Sequence, residues 1–232
     1  MKPISLIIFL AAALSTQAVA AAVYEIAPGD PLQAAVEAAQ PGDVLHLLSG
    51  DHAGPVVVDR RLSLIGEAGA SVTGPGKGSV ITLTVPNVHV EGLTIRGSGA
   101  DLPAMDSGIL ARRDAQNAVI RSNRFQGNLF GVYLHGAAGS VVENNIIVGR
   151  DDLRMSEAGN GVSIWNAPGA KVVGNDIRYG RDGIFVTTSR DVLFQDNRFT
   201  ELRFAIHYMY THDSRVIGNR SQGNHVGWAI MF

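Results

Sequence analysis

The chain has no cysteine in 232 residues. Disulfide staples, thiolate metal sites and cysteine nucleophiles are therefore excluded, and an exported chain of this kind must take its stability from core packing. Charge is also scarce: 17% of residues are charged, with 19 basic against 21 acidic. That balance lacks the basic excess with which proteins engage nucleic acid. Aromatic residues make up only 6%. No apolar run reaches the roughly 20 residues of a membrane-spanning helix. The most apolar stretch lies at the start, where Lys2, the core Ile4 to Leu14 and Ala18-Val19-Ala20 read as a secretory leader over residues 1–20. No twin-arginine pair accompanies it, which favours the general secretory route. Without Lys2 the formal charge moves from −2 to −3, and residues 21–232 are one domain's worth of chain.

What is present is a repeat. Asn123, Asn145, Asn175, Asn197 and Asn219 occupy equivalent places, with three separations of 22 residues and one of 30. Gly131, Gly161, Gly183, Ala205 and Gly227 keep a second register with the same set of separations, each opening a short β-like run. The longer interval holds an insertion of 8 residues, Arg150 to Glu157. Two landmarks on one period indicate a solenoid. The units are β-rich, about 22 residues long, and lack both helical periodicity and a leucine-rich consensus. They predict an all-β, right-handed parallel β-helix whose short strands share one apolar interior, with the asparagines stacked at a corner.

Residues Val23 to Gly50 suit an N-terminal lid. Asp30 as N-cap, Pro31 in the first helical position and Gln33 as the second half of a capping box predict a short helix that faces Leu32, Ala35, Val36 and Ala39 toward the solenoid. Val44 to Leu48 then begins the strands. The intervals Ile95 to Gly108 and Ile147 to Gly161 are 13 and 14 residues, against 6 for Phe125 to Gly131 and Ile177 to Gly183. Two loops, Gly97–Asp106 and Gly149–Glu157, should thus leave the same corner, and insertions on one side of a solenoid mark its working face. Phe232 falls inside a strand pattern with no polar cap beyond it, so the domain is expected to be truncated at that end.

Strand alternation points Val132, Leu134, Val162, Ile164, Ile184, Val186, Ile206, Tyr208, Trp228 and Ile230 inward. The outward columns are Leu110, Tyr133, Ser163, Phe185, His207 and Ala229, beside Arg112, His135, Trp165, Thr187, Met209 and Met231. Tyr133, Trp165 and Phe185 suit a partner surface. After the leader, the four methionines are Met105 and Met155 in the loops and Met209 and Met231 on the outward column. Thioether with imidazole is a ligand set that Cu(I) accepts where thiolates are missing. A copper site is expected from Met209, His207, Met231, His135, Met155 and Met105, and protein contact is the competing reading of the same side chains. His46, His52 and His89 are expected in surface or turn roles, and His212 and His225 lie at corners near the end of the chain.

Polysaccharide lyases, epimerases and hydrolases share this architecture, and one of these is the alternative from another class. They require clustered carboxylates or a strand-borne base. Asp151-Asp152, between Arg150 and Arg154, reads instead as a salt-bridged solvated loop. No aspartate–histidine constellation of the alginate-epimerase type is legible, and no catalytic residue is assigned. Phe204-Ala205-Ile206-His207-Tyr208-Met209-Tyr210-Thr211, Gly218-Asn219 and Gly223 through Phe232 resemble the NosD family, as does Gly180 through Val186. The resemblance implies a non-enzymatic periplasmic β-helix in nitrous oxide reductase maturation. It further implies work with the ABC transporter NosF–NosY and copper delivery from the chaperone NosL for the reductase's copper–sulfur centre.

Overall fold

Each turn of chain lays down three short strands and then repeats, so the molecule is three parallel sheets wrapped round one interior. The computed structural model describes residues 21–231, and the leader segment lies outside them. One sheet has nine strands (A) and two have eight (B and C). A representative coil runs through Val119–Arg121 in A, Arg124–Gln126 in B and Phe130–His135 in C. All pairings between these strands are parallel, as in Ile120↔Val142, Phe125↔Ile147 and Val132↔Val162. Strands of three to six residues cannot hold an interior singly; stacking gives each apolar column a continuous wall. Ile120, Val142, Val172 and Phe194 form one such column and Phe125, Ile147, Ile177 and Phe199 another, all fully buried. On sheet C the expected inward residues Val132, Leu134, Val162, Ile164, Ile184, Val186 and Ile206 are buried. Trp228 and Ile230, on the final strand, are 44% and 62% exposed.

The corner between A and B is set by hydrogen bonding. Ser122, Asn144, Gly174, Asp196 and Gly218 all take positive φ, between 53° and 66°, which turns the chain in one residue. The asparagine that follows each of them is stacked. Asn123 N donates to Asn145 Oδ1, Asn145 N to Asn175 Oδ1, Asn175 N to Asn197 Oδ1 and Asn197 N to Asn219 Oδ1, all at 2.9–3.0 Å. Their Nδ2 groups donate back to Val90, Ile120, Val142, Val172 and Phe194 carbonyls. The ladder thereby satisfies buried backbone groups that the turn would otherwise strand.

Glycine has a different reason at the start of the sheet C strands. A Cβ on Gly183 would lie 2.4 Å from Phe199 Cδ1, and one on Gly161 2.4 Å from Ile177 Cγ2. Ala205 takes this place in the coil whose successor carries Ser221 in register with Phe199.

The helix is Leu32–Ala38, and Leu32, Val36 and Ala39 are buried against the first coils. Its capping differs from expectation. Pro31 is the N-cap residue and no side chain caps the helix. Asp30 instead accepts the Ala27 N–H at 2.8 Å, closing the preceding turn. Gln33 reaches across to the strand Val56–Val58, where its Oε1 accepts the Val57 N–H at 2.8 Å. The sheets also begin earlier than expected, since Val23–Ile26 pairs with Val44–Leu47.

Candidate metal-binding and docking face

Sheet C carries the two predicted outward columns in register. Leu110, Tyr133, Ser163, Phe185, His207 and Ala229 follow one another strand by strand. His135, Trp165, Thr187, Met209 and Met231 do the same beside them. Both long loops leave the B–C corner, one between Thr94–Arg96 and Ser107–Ala111 and the other between Ile146–Val148 and Val162–Trp165. The strip is less open than alternation implies. Leu110 is 2%, Ser163 1% and His207 8% exposed, because the loops lie against the sheet and put Leu102, Ala158 and Gly159 around it. In the second loop Arg150 forms the expected ion pair with Asp152, at 2.5 Å.

The six proposed metal-binding side chains do not converge. They fall in three places. Met105 Sδ lies 3.1 Å from His135 Nδ1, with Trp165 edge-on to that imidazole at 4.5 Å and Tyr133 at 6.0 Å. Met105 sits at φ 61°, a conformation that a long side chain rarely takes. Burial, with Arg112 and Arg113 nearby, holds the His135 pKa below its usual value, so the ring is neutral at pH 7. Burial likewise raises the Tyr133 pKa and keeps its hydroxyl protonated.

Three strand spacings further along, about 14 Å away, lies the second group. Asp182 is 1% exposed and accepts both Arg203 Nε at 2.8 Å and Arg203 Nη2 at 2.7 Å. Its Oδ2 also lies 3.0 Å from His207 Nδ1. Arg203 stacks over Phe204 at 4.3 Å, while Phe185 and Phe204 flank the imidazole edge-on at 4.9 and 5.1 Å. His207 Nε2 is buried without a hydrogen-bond partner, and so is Asn160 Oδ1. Both residues line one cleft of about 290 Å³ together with Met209, Leu102, Phe130 and Arg181. Met231 continues the Met209 column on the last strand, 41% exposed. Met155 stands elsewhere, in a groove with Tyr179, Leu202 and His225.

The Asp182–His207 pair is an aspartate–histidine contact that the sequence reading did not single out. Its signal lay in the column that immediately precedes the glycine register: Phe130, Asn160, Asp182, Phe204 and Val226. Two polar residues sit there among large apolar ones. His52 is a correction, since it is fully buried, with Nε2 2.9 Å from the Leu48 carbonyl. His89 is half-buried on sheet A, and its Nε2 lies 3.2 Å from Glu91 without hydrogen-bond alignment. Among the described residues, no three His, Asp or Glu side chains converge as a metal cluster would need.

Residues 143–232 match the family model described as "Periplasmic copper-binding protein (NosD)". A probable ABC transporter binding protein NosD from Pseudomonas aeruginosa is 41% identical over 137 residues, which cover 59% of this chain and 32% of that protein. Its counterpart from Stutzerimonas stutzeri is 36% identical over 137 residues, covering 59% and 31%. The matched stretch therefore spans about a third of these relatives' length. The likeness to NosD read from the sequence is borne out. Among solved structures, a polygalacturonase from Erwinia carotovora ssp. carotovora superposes with TM-score 0.68 at 13% identity, covering 90% of this chain and 73% of that one. Pectate lyase Pel9A gives 0.63 at 13% identity, covering 80% and 54%. Identities this low establish the β-helix fold and nothing about chemistry. Among the described residues no helix is long and apolar enough to cross a membrane.

Proposed function

We propose that this chain is a periplasmic copper-handling scaffold that assists assembly of the copper–sulfur centre of nitrous oxide reductase, working with an ABC transporter. The observation that carries the reading is the coincidence of two things. The segment matching the copper-binding NosD model, residues 143–232, is the segment that brings His207, Met209 and Met231 onto the outer face of sheet C. The names of the relatives, ABC transporter binding proteins, support the partner class. Export through the leader at residues 1–20 would deliver the chain to the periplasm. NosF–NosY is the transporter this reading requires, NosL the donor of copper, and the reductase the recipient. The half-buried aromatics Tyr133, Trp165 and Phe185 beside the loops would form the docking surface for one of them. The role is binding and presentation, not bond-making.

The test is a strain lacking the protein, complemented with wild type or with a His207→Ala, Met209→Ala double variant. Wild type should restore copper loading of the reductase and the double variant should restore little. A strain whose reductase is fully loaded without the protein would overturn the reading. Cleavage or epimerisation of a polysaccharide by the purified chain would replace it with the enzymatic alternative.

A further inference from the structure

The Asp182 cluster is built for something that its own hydrogen bonds do not use. A carboxylate 1% exposed, held by both arms of Arg203, faces His207 Nδ1 at 3.0 Å. Arg203 Nη2 also lies 3.3 Å from this nitrogen, but the carboxylate oxygen is the nearer partner; with that oxygen as acceptor, Nδ1 carries the proton and Nε2 presents its lone pair. That nitrogen is buried and unpartnered, as is Asn160 Oδ1 in the same cleft. Leaving such groups unmet costs free energy, and a ligand entering the cleft is one way of completing them. The Met209 thioether lines the cleft as well. Nitrogen, oxygen and sulfur there all offer electron pairs, so the ligand must accept them.

We infer that His207 Nε2 and Met209 Sδ form a binding site for one soft monovalent cation, Cu(I), with Asn160 on the wall of the cleft and Asp182 and Arg203 as positioning residues that fix the imidazole. The inference rests on the copper reading above and names its site. Softness selects the ion. Asp182 is offset by Arg203 and Arg181 also lines the cleft, so fixed charge does not draw a cation in and the donor atoms alone must hold it. A thioether beside an imidazole favours a soft ion over Mg²⁺ or Ca²⁺, which take oxygen ligands. A carboxylate on the far nitrogen of a ligating histidine is the usual way in which a protein fixes the ring's tautomer. Asn160 lies at the end of the second long loop, one strand from Asp182, so the loop inserted at the corner supplies part of that wall.

The experiment is an anaerobic Cu(I) titration of the purified chain against a chromophoric chelator, paired with ¹⁵N NMR of the imidazole rings. His207→Ala and Met209→Leu should each weaken Cu(I) binding at least tenfold. Asp182→Asn should weaken it about 10- to 100-fold and release the His207 proton from its fixed place on Nδ1, a tautomer change that a purely structural carboxylate would not produce. Should Asp182→Asn fail to fold because Arg203 is left unpaired, the Asp182→Asn, Arg203→Gln double variant removes both charges together and has the same two readouts. Wild-type affinity in the His207 and Met209 variants, with wild type binding Cu(I), would overturn this site and leave the copper reading intact. Unchanged affinity and tautomer after the Asp182 substitution would overturn the positioning role. A wild-type chain that takes up no Cu(I) would overturn the copper reading and this site with it.

Discussion

A single asparagine in this fold serves three coils at once. Asn175 accepts the Asn145 N–H and the Asn145 Nδ2 through Oδ1, and donates through Nδ2 to the Val142 carbonyl and to Asn197. Replacing it by leucine keeps the branched outline in a somewhat larger side chain and removes every one of these bonds. The expected cost is about 1–3 kcal/mol from stranded buried groups, read as a lower urea midpoint. A midpoint within error of wild type would show that water or a relaxed turn meets those groups equally well. The sequence displayed this ladder because the same residue must recur in each coil for the ladder to exist. It hid the Asp182–His207 pair for the opposite reason. A repeat reveals what successive coils share, whereas this pair consists of what one coil has and its neighbours lack. The partners also sit 25 residues apart, one coil and three residues, an offset that no self-alignment brings together.

Stacked strands pass their constraints from coil to coil. The glycine register was visible as punctuation, but its cause, the ring or branched side chain of the following coil, needed the packing to be seen. Gly183→Ala would drive a Cβ to 2.4 Å from Phe199 Cδ1 and 2.6 Å from the Ala205 carbonyl. The strand or the ring must shift, and about 1–3 kcal/mol of stability should be lost to overpacking. Thermal denaturation of the variant checks this; an unchanged melting temperature would mean that the coils slide apart at little cost. The helix marks the limit of reading local motifs. Asp30, Pro31 and Gln33 formed a plausible capping pattern. In the fold, Asp30 closes a turn and Gln33 pairs with the exposed edge of Val56–Val58, because an edge strand with open N–H and C=O groups competes for the same side chains. Alternation likewise assigned the two faces of sheet C correctly but could not show that the loops fold back over one of them.

At the scale of the whole molecule, stability should respond to acid through its histidines. The His89 pKa is lowered first by burial and then by Arg121, against the opposing pull of Glu91 and Glu143. The His135 pKa is lowered by burial and by Arg112 and Arg113. A depressed histidine pKa means that the unfolded chain binds protons more readily than the folded one. This stability is present above the unfolded pKa of about 6.5 and is lost as pH falls through the folded value. The melting temperature should therefore drop between pH 7.5 and pH 5.5, and His89→Gln should flatten part of that fall. A His89→Gln profile as steep as wild type would place the sensitivity elsewhere.

Two of the three corners of each coil also differ in how they tolerate change in length. At the asparagine corner one residue turns the chain and the next must meet its counterpart in the neighbouring coil, so a single added or deleted residue would break the ladder. At the B–C corner the chain has accommodated an extra 8 residues while Asn145 and Asn175 still bond at 2.9 Å. One corner keeps time and the other is free to vary. New segments can therefore be grafted at Gly127, Gly149 or Gly180 as on a rack, at strand intervals of about 4.8 Å, with the frame beneath them undisturbed.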